Sequence, residues 1–119
     1  MPRVLVVEDE FLIRLTMAEV LGDEGFDVVE AEDGAQAIAL LEHGGVDLLM
    51  TDVNLPGTVS GWVVADTARQ SQADLPVVFL SGGAQPPSGR TTSPRDSFVQ
   101  KPYTPTDLVA IARRAVGAS

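Results

Sequence analysis

Short runs of consecutive apolar residues alternate along this chain with longer segments in which apolar residues recur every three or four positions. Such runs are typical of strands buried on both faces of a sheet, and the spaced segments are typical of amphipathic helices. The pattern predicts strands at residues 3–7, 27–31, 46–52, 77–80 and 97–100, and helices at 11–21, 35–42, 60–72 and from about 105 onward. This alternation indicates an α/β fold, a doubly wound, five-stranded parallel sheet with the strand order 2-1-3-4-5.

The connection between the fourth and fifth strands, residues 82–96, departs from this pattern. It holds three prolines, three glycines and scarcely one apolar side chain. In a helix interior, proline costs about 3 kcal/mol and glycine about 1 kcal/mol, and this segment has little to bury that would offset the cost. We therefore predict that the helix expected here, the fourth of such a fold, is missing or much reduced.

The helical spacing also predicts which side chains face the core. The first helix has two apolar rows, one of Leu12, Leu15 and Ala18 and one of Ile13, Met17 and Val20. The second helix has one row, Ile38 and Leu41, and the third has one, Val64, Ala65 and Ala68. Trp62, the only tryptophan, falls in the first turn of the third helix. We expect it to pack over the turn beneath it, and the alternative is that it marks a contact surface.

Composition narrows the class of protein. At 119 residues the chain is expected to form one domain, residues 1–119, around a single core. No apolar run approaches 18 residues and no signal-type leader is present, so no membrane association and a cytoplasmic location are expected. The absence of cysteine excludes disulfides and thiolate metal sites, and a net charge of −9 disfavours binding to nucleic acid.

Polar residues stand where the predicted strands end. Glu8 and Asp9 follow the first strand, Asp52 ends the third, Ser81 follows the fourth and Lys101 follows the fifth. In an open parallel sheet, ligands bind outside the carboxyl ends of the strands at the switch point, where this strand order makes strands one and three neighbours. Taken alone, Asp52 could equally cap the turn after it. Together, these residues predict a site at which Asp9 and Asp52 converge.

Carboxylates that converge repel one another unless a cation neutralises them. Mg²⁺ takes oxygen ligands in near-octahedral geometry and keeps several waters. Asp9 and Asp52 could bind it directly, Glu8 could act through water, and the backbone carbonyl of Asn54 lies in the adjoining turn. A magnesium site is therefore predicted at this edge of the sheet.

Two further strand-end residues suit a phosphoryl group. Ser81 offers a hydroxyl donor, and Lys101 offers a compact positive charge that can meet a phosphoryl oxygen. A carboxylate, a cation, a hydroxyl and an ammonium group together describe a site that accepts a phosphoryl group on Asp52.

At these residues the chain resembles the receiver domain of bacterial two-component response regulators, and the resemblance covers essentially its whole length. Each motif is weak alone, but the set at this spacing is specific: Glu8-Asp9, Asp52, Ser81, Phe98 and Lys101-Pro102. The resemblance implies a flavodoxin-like receiver fold and a phosphoryl group transferred to Asp52 from a histidine kinase or histidine phosphotransfer protein. It also implies Mg²⁺ held by Glu8 and Asp9.

Further roles follow from the same resemblance. Lys101 would contact the phosphoryl group through its ammonium and form a cis bond to Pro102, and Ser81 and Phe98 would form the switch pair. The domain would not be an enzyme, although Mg²⁺-dependent self-phosphorylation and self-dephosphorylation are expected. It would signal through contacts with a downstream protein that the sequence does not identify.

Several features depart from the common receiver pattern. The turn at residues 56–61 is one residue longer, and Phe98 stands where many receivers have tyrosine, so a switch there has no hydroxyl. Residues 76–83 are only loosely similar to the Pro-Phe-x-Phe-Ala-Thr-Gly-Tyr signature of one receiver subgroup, which is often single-domain. Because the usual receiver dimer face is built partly on the fourth helix, a monomer or a weak homodimer through another surface is expected.

Other classes with related architecture fit less well. A flavodoxin-like electron carrier needs donors for the FMN phosphate at the first strand–helix turn, where residues 8–10 are acidic instead. An aspartyl-phosphate hydrolase resembles an Asp-x-Asp pattern whose second acid protonates the leaving group, and here that position is Asn54. The remaining alternative is a pseudo-receiver that docks a partner without being phosphorylated.

Overall fold

The computed structural model describes residues 1–83 and 93–117. Its elements are β1 (Arg3–Val7), α1 (Phe11–Asp23), β2 (Asp27–Ala31), α2 (Gly34–Leu41), β3 (Leu48–Asp52), α3 (Gly61–Ser71), β4 (Val77–Ser81), β5 (Asp96–Gln100) and α4 (Pro105–Ala115). The strands form one parallel sheet in the order β2-β1-β3-β4-β5, which confirms the predicted topology. β1 and β3 are adjacent, so their carboxyl ends meet at the same edge of the sheet.

Two layers of helices bury the sheet. α2 and α3 cover one face, and α1 and α4 cover the other. β3 and β4 are buried along their whole lengths, which explains why they appear in the sequence as continuous apolar runs. β5 lies at the edge of the sheet and is only partly covered. None of the described helices combines the length and apolar character that crossing a membrane requires.

The first helix buries only one of its two apolar rows. Met17 is buried and Ile13 packs against the core formed with α4. Leu12, by contrast, is 73% exposed, and Leu15 also faces solvent. Apolar side chains surround most of this helix, so its sequence does not indicate which row packs inward.

The other two predicted faces agree more closely with the structure. Val64, Ala65 and Ala68 of α3 are buried as expected. In α2 the buried residues include Leu41, as expected, whereas Ile38 is only half buried.

Between β4 and β5, the described residues 82–83 and 93–95 hold no helix. The prediction of a missing fourth helix falls chiefly on residues 84–92, which lie outside the described part of the chain. The amino ends of β4 and β5 are both bonded to α3. The guanidinium of Arg69 forms an ion pair with Asp96 at 2.5 Å and donates to the carbonyl of Leu75 at 2.9 and 3.1 Å. Asp96 also accepts the backbone N–H of Ser93 at 3.0 Å.

Two glycines allow the long turn after β3 to pack against its surroundings. A Cβ atom on Gly61 would lie 2.2 Å from the carbonyl oxygen of Asp52 and 2.9 Å from the Cα of Val53. A Cβ on Gly34, at the start of α2, would lie 2.6 Å from both Cγ1 and the carbonyl oxygen of Val59. The turn therefore rests on α2, and α3 begins in direct contact with the end of β3.

Candidate functional site

Three carboxylates meet at the carboxyl ends of β1 and β3. Glu8 and Asp9 directly follow β1, and Asp52 is the last residue of β3. One carboxylate oxygen of each residue lies within 4.8 Å of those of the other two. Glu8 and Asp52 are buried, at 1% and 6% exposed, while Asp9 faces solvent. The predicted convergence of Asp9 and Asp52 is confirmed, and the pocket opens to solvent on the side of Asp9.

Both carboxylate oxygens of Asp52 are engaged. The backbone N–H of Asn54 donates to Oδ1 at 3.0 Å, and the ammonium of Lys101 donates to Oδ2 at 2.7 Å. The sharp turn after β3 directs the Asn54 N–H back toward the strand end. The carboxylate is consequently held in one orientation at the edge of the sheet.

Lys101 links the two buried carboxylates. Its Nζ also donates to Oε1 of Glu8 at 3.3 Å. Burial opposes the charged form of this ammonium, but the hydrogen bond and charge of Asp52, together with the charge of Glu8, prevail and raise the pKa of Lys101. The side chain remains 30% exposed. Lys101 is therefore a permanent positive charge with room to move.

Burial is the main cause of a raised pKa at the Glu8 carboxyl. The backbone N–H of Glu10, which donates to Oε2 at 3.2 Å, and the charge of Lys101 work against this rise. A carboxyl whose pKa is higher in the folded state favours folding at low pH and loses that contribution as pH rises through the folded value. Ionised Glu8 thus opposes folding at neutral pH, and a bound cation would relieve this.

The end of β4 is joined to Lys101 through the backbone. The N–H of Lys101 donates to the carbonyl of Ser81 at 2.8 Å. The hydroxyl of Ser81 accepts the N–H of Gly83 at 3.0 Å, and the side chain is almost fully buried. The bond between Lys101 and Pro102 is cis, as the resemblance implied.

Three aromatic rings extend from α3 to the edge of the sheet. The ring centroid of Phe79 lies 4.5 Å from that of Trp62 and 5.3 Å from that of Phe98. Trp62 is buried and packs against Phe79 of β4, so it belongs to the core and does not mark an exposed contact surface. Phe98 is half exposed at the edge strand, and its centroid is 6.3 Å from that of Trp62. Among the described residues, the predicted switch residue therefore stacks on the core through its contact with Phe79.

The donor set of the pocket suits a hard cation. Its potential ligands are the carboxylate oxygens of Glu8, Asp9 and Asp52, and among the described residues no histidine or cysteine belongs to this cluster. Oxygen ligands of this kind match Mg²⁺ and Ca²⁺ rather than a soft transition metal.

Two residues beside the pocket were not predicted from the sequence. Arg14 of α1 donates to the backbone carbonyl of Glu8 at 2.8 Å. The hydroxyl of Tyr103 is buried and has no hydrogen-bond partner among the described residues, and burial raises its pKa. Neither residue belongs to a local motif, so only the folded arrangement identifies them.

Comparisons with known proteins agree with this geometry. The sequence model of the response regulator receiver domain matches residues 4–113. The chain is 35% identical over 115 residues to the aerobic respiration control protein ArcA of Escherichia coli K12, covering 94% of this chain and 47% of ArcA. It is 34% identical over 119 residues to the transcriptional regulatory protein PdtaR of Mycobacterium tuberculosis H37Rv, covering 96% of this chain and 56% of PdtaR. The chain thus spans about half the length of the curated relatives it matches.

Solved structures give the same picture. A response regulator receiver protein from Sinorhizobium medicae superimposes with a TM-score of 0.89 at 30% identity, covering 98% of this chain and 95% of that one. The receiver domain of the hybrid histidine kinase CckA superimposes with a TM-score of 0.82 at 32% identity, covering 96% of this chain and 98% of that domain.

Proposed function

This chain belongs to the response regulator receiver domain family, and from that premise we propose that Asp52 accepts a phosphoryl group from a phosphohistidine. The donor would be a histidine kinase or a histidine phosphotransfer protein. The observation that carries the proposal is the environment of the Asp52 carboxylate. It is buried at a strand end, oriented by the N–H of Asn54 and paired with Lys101 at 2.7 Å, beside two further acids.

The transfer can be written with the groups present. An oxygen of the Asp52 carboxylate attacks phosphorus, and the new O–P bond forms as the P–N bond to the donor imidazole breaks. The imidazole nitrogen takes up a proton from water, and Asp52 becomes an acyl phosphate. Lys101 leaves Oδ2 for a phosphoryl oxygen, a short movement for a side chain that is partly exposed.

The acidic pocket would hold Mg²⁺ during this reaction. Glu8, Asp9 and Asp52 would supply or support its ligands, with the backbone carbonyl of Asn54 as a further oxygen. When bound, the cation supplies positive charge that offsets the clustered carboxylates and the incoming phosphoryl oxygens. We propose that the same groups support slow self-phosphorylation and self-dephosphorylation.

Signalling would proceed through protein–protein contacts made in the cytoplasm by a monomer or weak homodimer. The charge of −9 disfavours a direct role on nucleic acid. The alternative, a docking pseudo-receiver, would keep the same fold without acyl phosphate chemistry.

Phosphotransfer to the wild-type chain separates these two functions. With Mg²⁺ and either a phosphorylated histidine kinase or a small phosphodonor, we expect a covalent label with the hydroxylamine sensitivity of an acyl phosphate. Chelating Mg²⁺ should reduce it to background, because the carboxylates then repel the donor. Intact-protein mass spectrometry measures the label. A chain that stays unlabelled with several donors would support docking without phosphorylation.

We further propose that Ser81 and Phe98 report the phosphorylation. A phosphoryl group adds nearly two negative charges and new acceptor oxygens at Asp52, and the hydroxyl of Ser81 could turn from the Gly83 N–H toward them. Because the backbone of Lys101 is bonded to Ser81, the ends of β4 and β5 would move together. Phe98, which is half exposed and stacks on Phe79, would follow this movement.

Removing the Ser81 hydroxyl should leave the phosphoryl labelling of Asp52 intact but weaken the structural response at Phe98. We expect Ser81→Ala to be labelled but to show much smaller chemical-shift changes at Phe98, because a donor to the phosphoryl group is lost. Ser71→Ala, at the far end of α3, is the matched control and should respond like the wild type. Two-dimensional NMR before and after phosphorylation gives the comparison, and equal shifts in Ser81→Ala and wild type would exclude Ser81 from the switch.

A further inference from the structure

Arg14 lies beside the acidic pocket and contributes no carboxylate to it. Its side chain is only 11% exposed. Nη1 donates to the backbone carbonyl of Glu8 at 2.8 Å, and Nε pairs with Oε1 of Glu30, on β2, at 3.2 Å. The guanidinium carbon lies 5.6 Å from the ring centroid of Phe11. The planar group is thus held by the β1–α1 turn, by β2 and by an aromatic ring.

The carbonyl that Arg14 holds belongs to the peptide group that joins Glu8 to Asp9. The N–H of Glu8 donates to the carbonyl of Ala31 at 3.1 Å. Glu8 is consequently fixed to β2 on both sides, directly through Ala31 and indirectly through the ion pair of Arg14 with Glu30. Because a peptide group is planar, fixing its oxygen also fixes the direction in which the chain enters Asp9.

We propose that Arg14 is a positioning residue for the cation. By holding the peptide between Glu8 and Asp9, it sets where the exposed Asp9 carboxylate stands relative to the buried ones of Glu8 and Asp52. This inference rests on the proposed function and deepens it, since it assigns part of the Mg²⁺ affinity to a residue that provides no ligand.

Charge and position predict opposite effects when the guanidinium is removed. A positive charge beside the pocket repels a divalent cation, so Coulomb's law alone predicts tighter Mg²⁺ binding by a neutral variant. Loss of the held peptide predicts weaker binding, because Asp9 must then be ordered when the cation binds. The direction of the change therefore distinguishes the two roles.

The chain offers a matched control at Arg113. Its Nη2 contacts the side chain of Glu24 at 3.2 Å and the carbonyl of the same residue at 3.5 Å. Like Arg14 it meets a glutamate carboxylate and a backbone carbonyl, but it is more exposed and lies outside the acidic pocket. Arg113→Met removes the same charge from the protein as Arg14→Met. Arg14→Lys keeps the charge but loses the planar fork that reaches two acceptors.

The experiment is an NMR titration of the full chain with MgCl₂, following the amides of Asp9 and Asn54. We expect Arg14→Met to bind Mg²⁺ about 10-fold more weakly than wild type, the lower end of the loss typical of residues that orient metal ligands. Arg14→Lys should also bind more weakly, and Arg113→Met should match the wild type. Thermal unfolding in EDTA shows which variants fold, and if Arg14→Met does not, Arg14→Lys decides alone because its charge is unchanged.

Affinity in the folded Arg14 variants that equals or exceeds that of wild type would overturn the positioning role and leave Arg14 as a counter-charge. Failure of the wild type to bind Mg²⁺ would overturn this inference together with the proposed metal site. A wild type that binds Mg²⁺ but is never labelled would refute only the phosphoacceptor function.

Discussion

Asp52→Asn is expected to abolish phosphoryl labelling while leaving the fold intact. An amide oxygen is a poor nucleophile, and the label should fall to background with every donor. Asn54 can still donate its N–H to the side-chain oxygen, and Lys101 keeps Glu8 as a partner at 3.3 Å. The substitution also removes a charge that repels Glu8, so we expect the free energy of unfolding without Mg²⁺ to change by no more than about 1 kcal/mol.

A remote ion-paired aspartate provides the control for this variant. Asp27 pairs with Arg3 at 2.9 Å on the exposed side of β2, and Asp27→Asn should be labelled like the wild type. Mass spectrometry and hydroxylamine treatment measure the label, and urea unfolding measures stability. A hydroxylamine-sensitive label that persists in Asp52→Asn would show that another carboxylate is the acceptor.

Gly61→Ala is expected to cause the largest loss of stability among the substitutions considered. The added methyl group would stand 2.2 Å from the carbonyl oxygen of Asp52 and 2.9 Å from the Cα of Val53. Both neighbours are backbone atoms, so relief requires moving either the start of α3 or the end of β3. We expect a loss of about 3 kcal/mol, at the upper end of what overpacking usually costs.

The same substitution at Gly22 is expected to raise stability instead of lowering it. Gly22 lies within α1, and a Cβ there would meet no atom within 4 Å. Gly22→Ala should stabilise the protein by about 0.5 kcal/mol, because alanine favours helix more than glycine does. Urea unfolding of both variants gives the contrast. Unchanged stability in Gly61→Ala would mean that α3 and β3 can separate slightly at little cost in free energy. Comparing the phosphoryl labelling of that variant with that of wild type would then show whether Asp52 has moved.

The sheet and the acidic pocket could be predicted because their signals are local. The inner strands β1, β3 and β4 contain short apolar runs, and Glu8, Asp52 and Lys101 stand where predicted strands end. Parallel strands of known order then bring these ends together without knowledge of any side-chain conformation. The strand order and the convergence of carboxylates were accordingly correct.

The contacts that position the pocket could not be predicted in this way. The bond from Arg14 to the Glu8 carbonyl depends on the direction of a long side chain, and the ion pair of Arg69 with Asp96 joins residues 27 positions apart. The inward face of α1 was ambiguous for a different reason. Its apolar residues surround the helix, and packing against α4 selects one row.

The cluster of Trp62, Phe79 and Phe98 gives the chain an optical probe of its own. Because Trp62 is the only indole in the sequence, emission excited in the tryptophan band comes from one known place. That indole packs at a tilt against Phe79, which in turn stacks on Phe98. It follows by one residue Gly61, the glycine that lies against the backbone of Asp52. Rapid-mixing experiments that record tryptophan emission can therefore follow the time course of structural changes at the carboxyl end of β3 and at the exposed edge strand. No dye has to be attached to either surface.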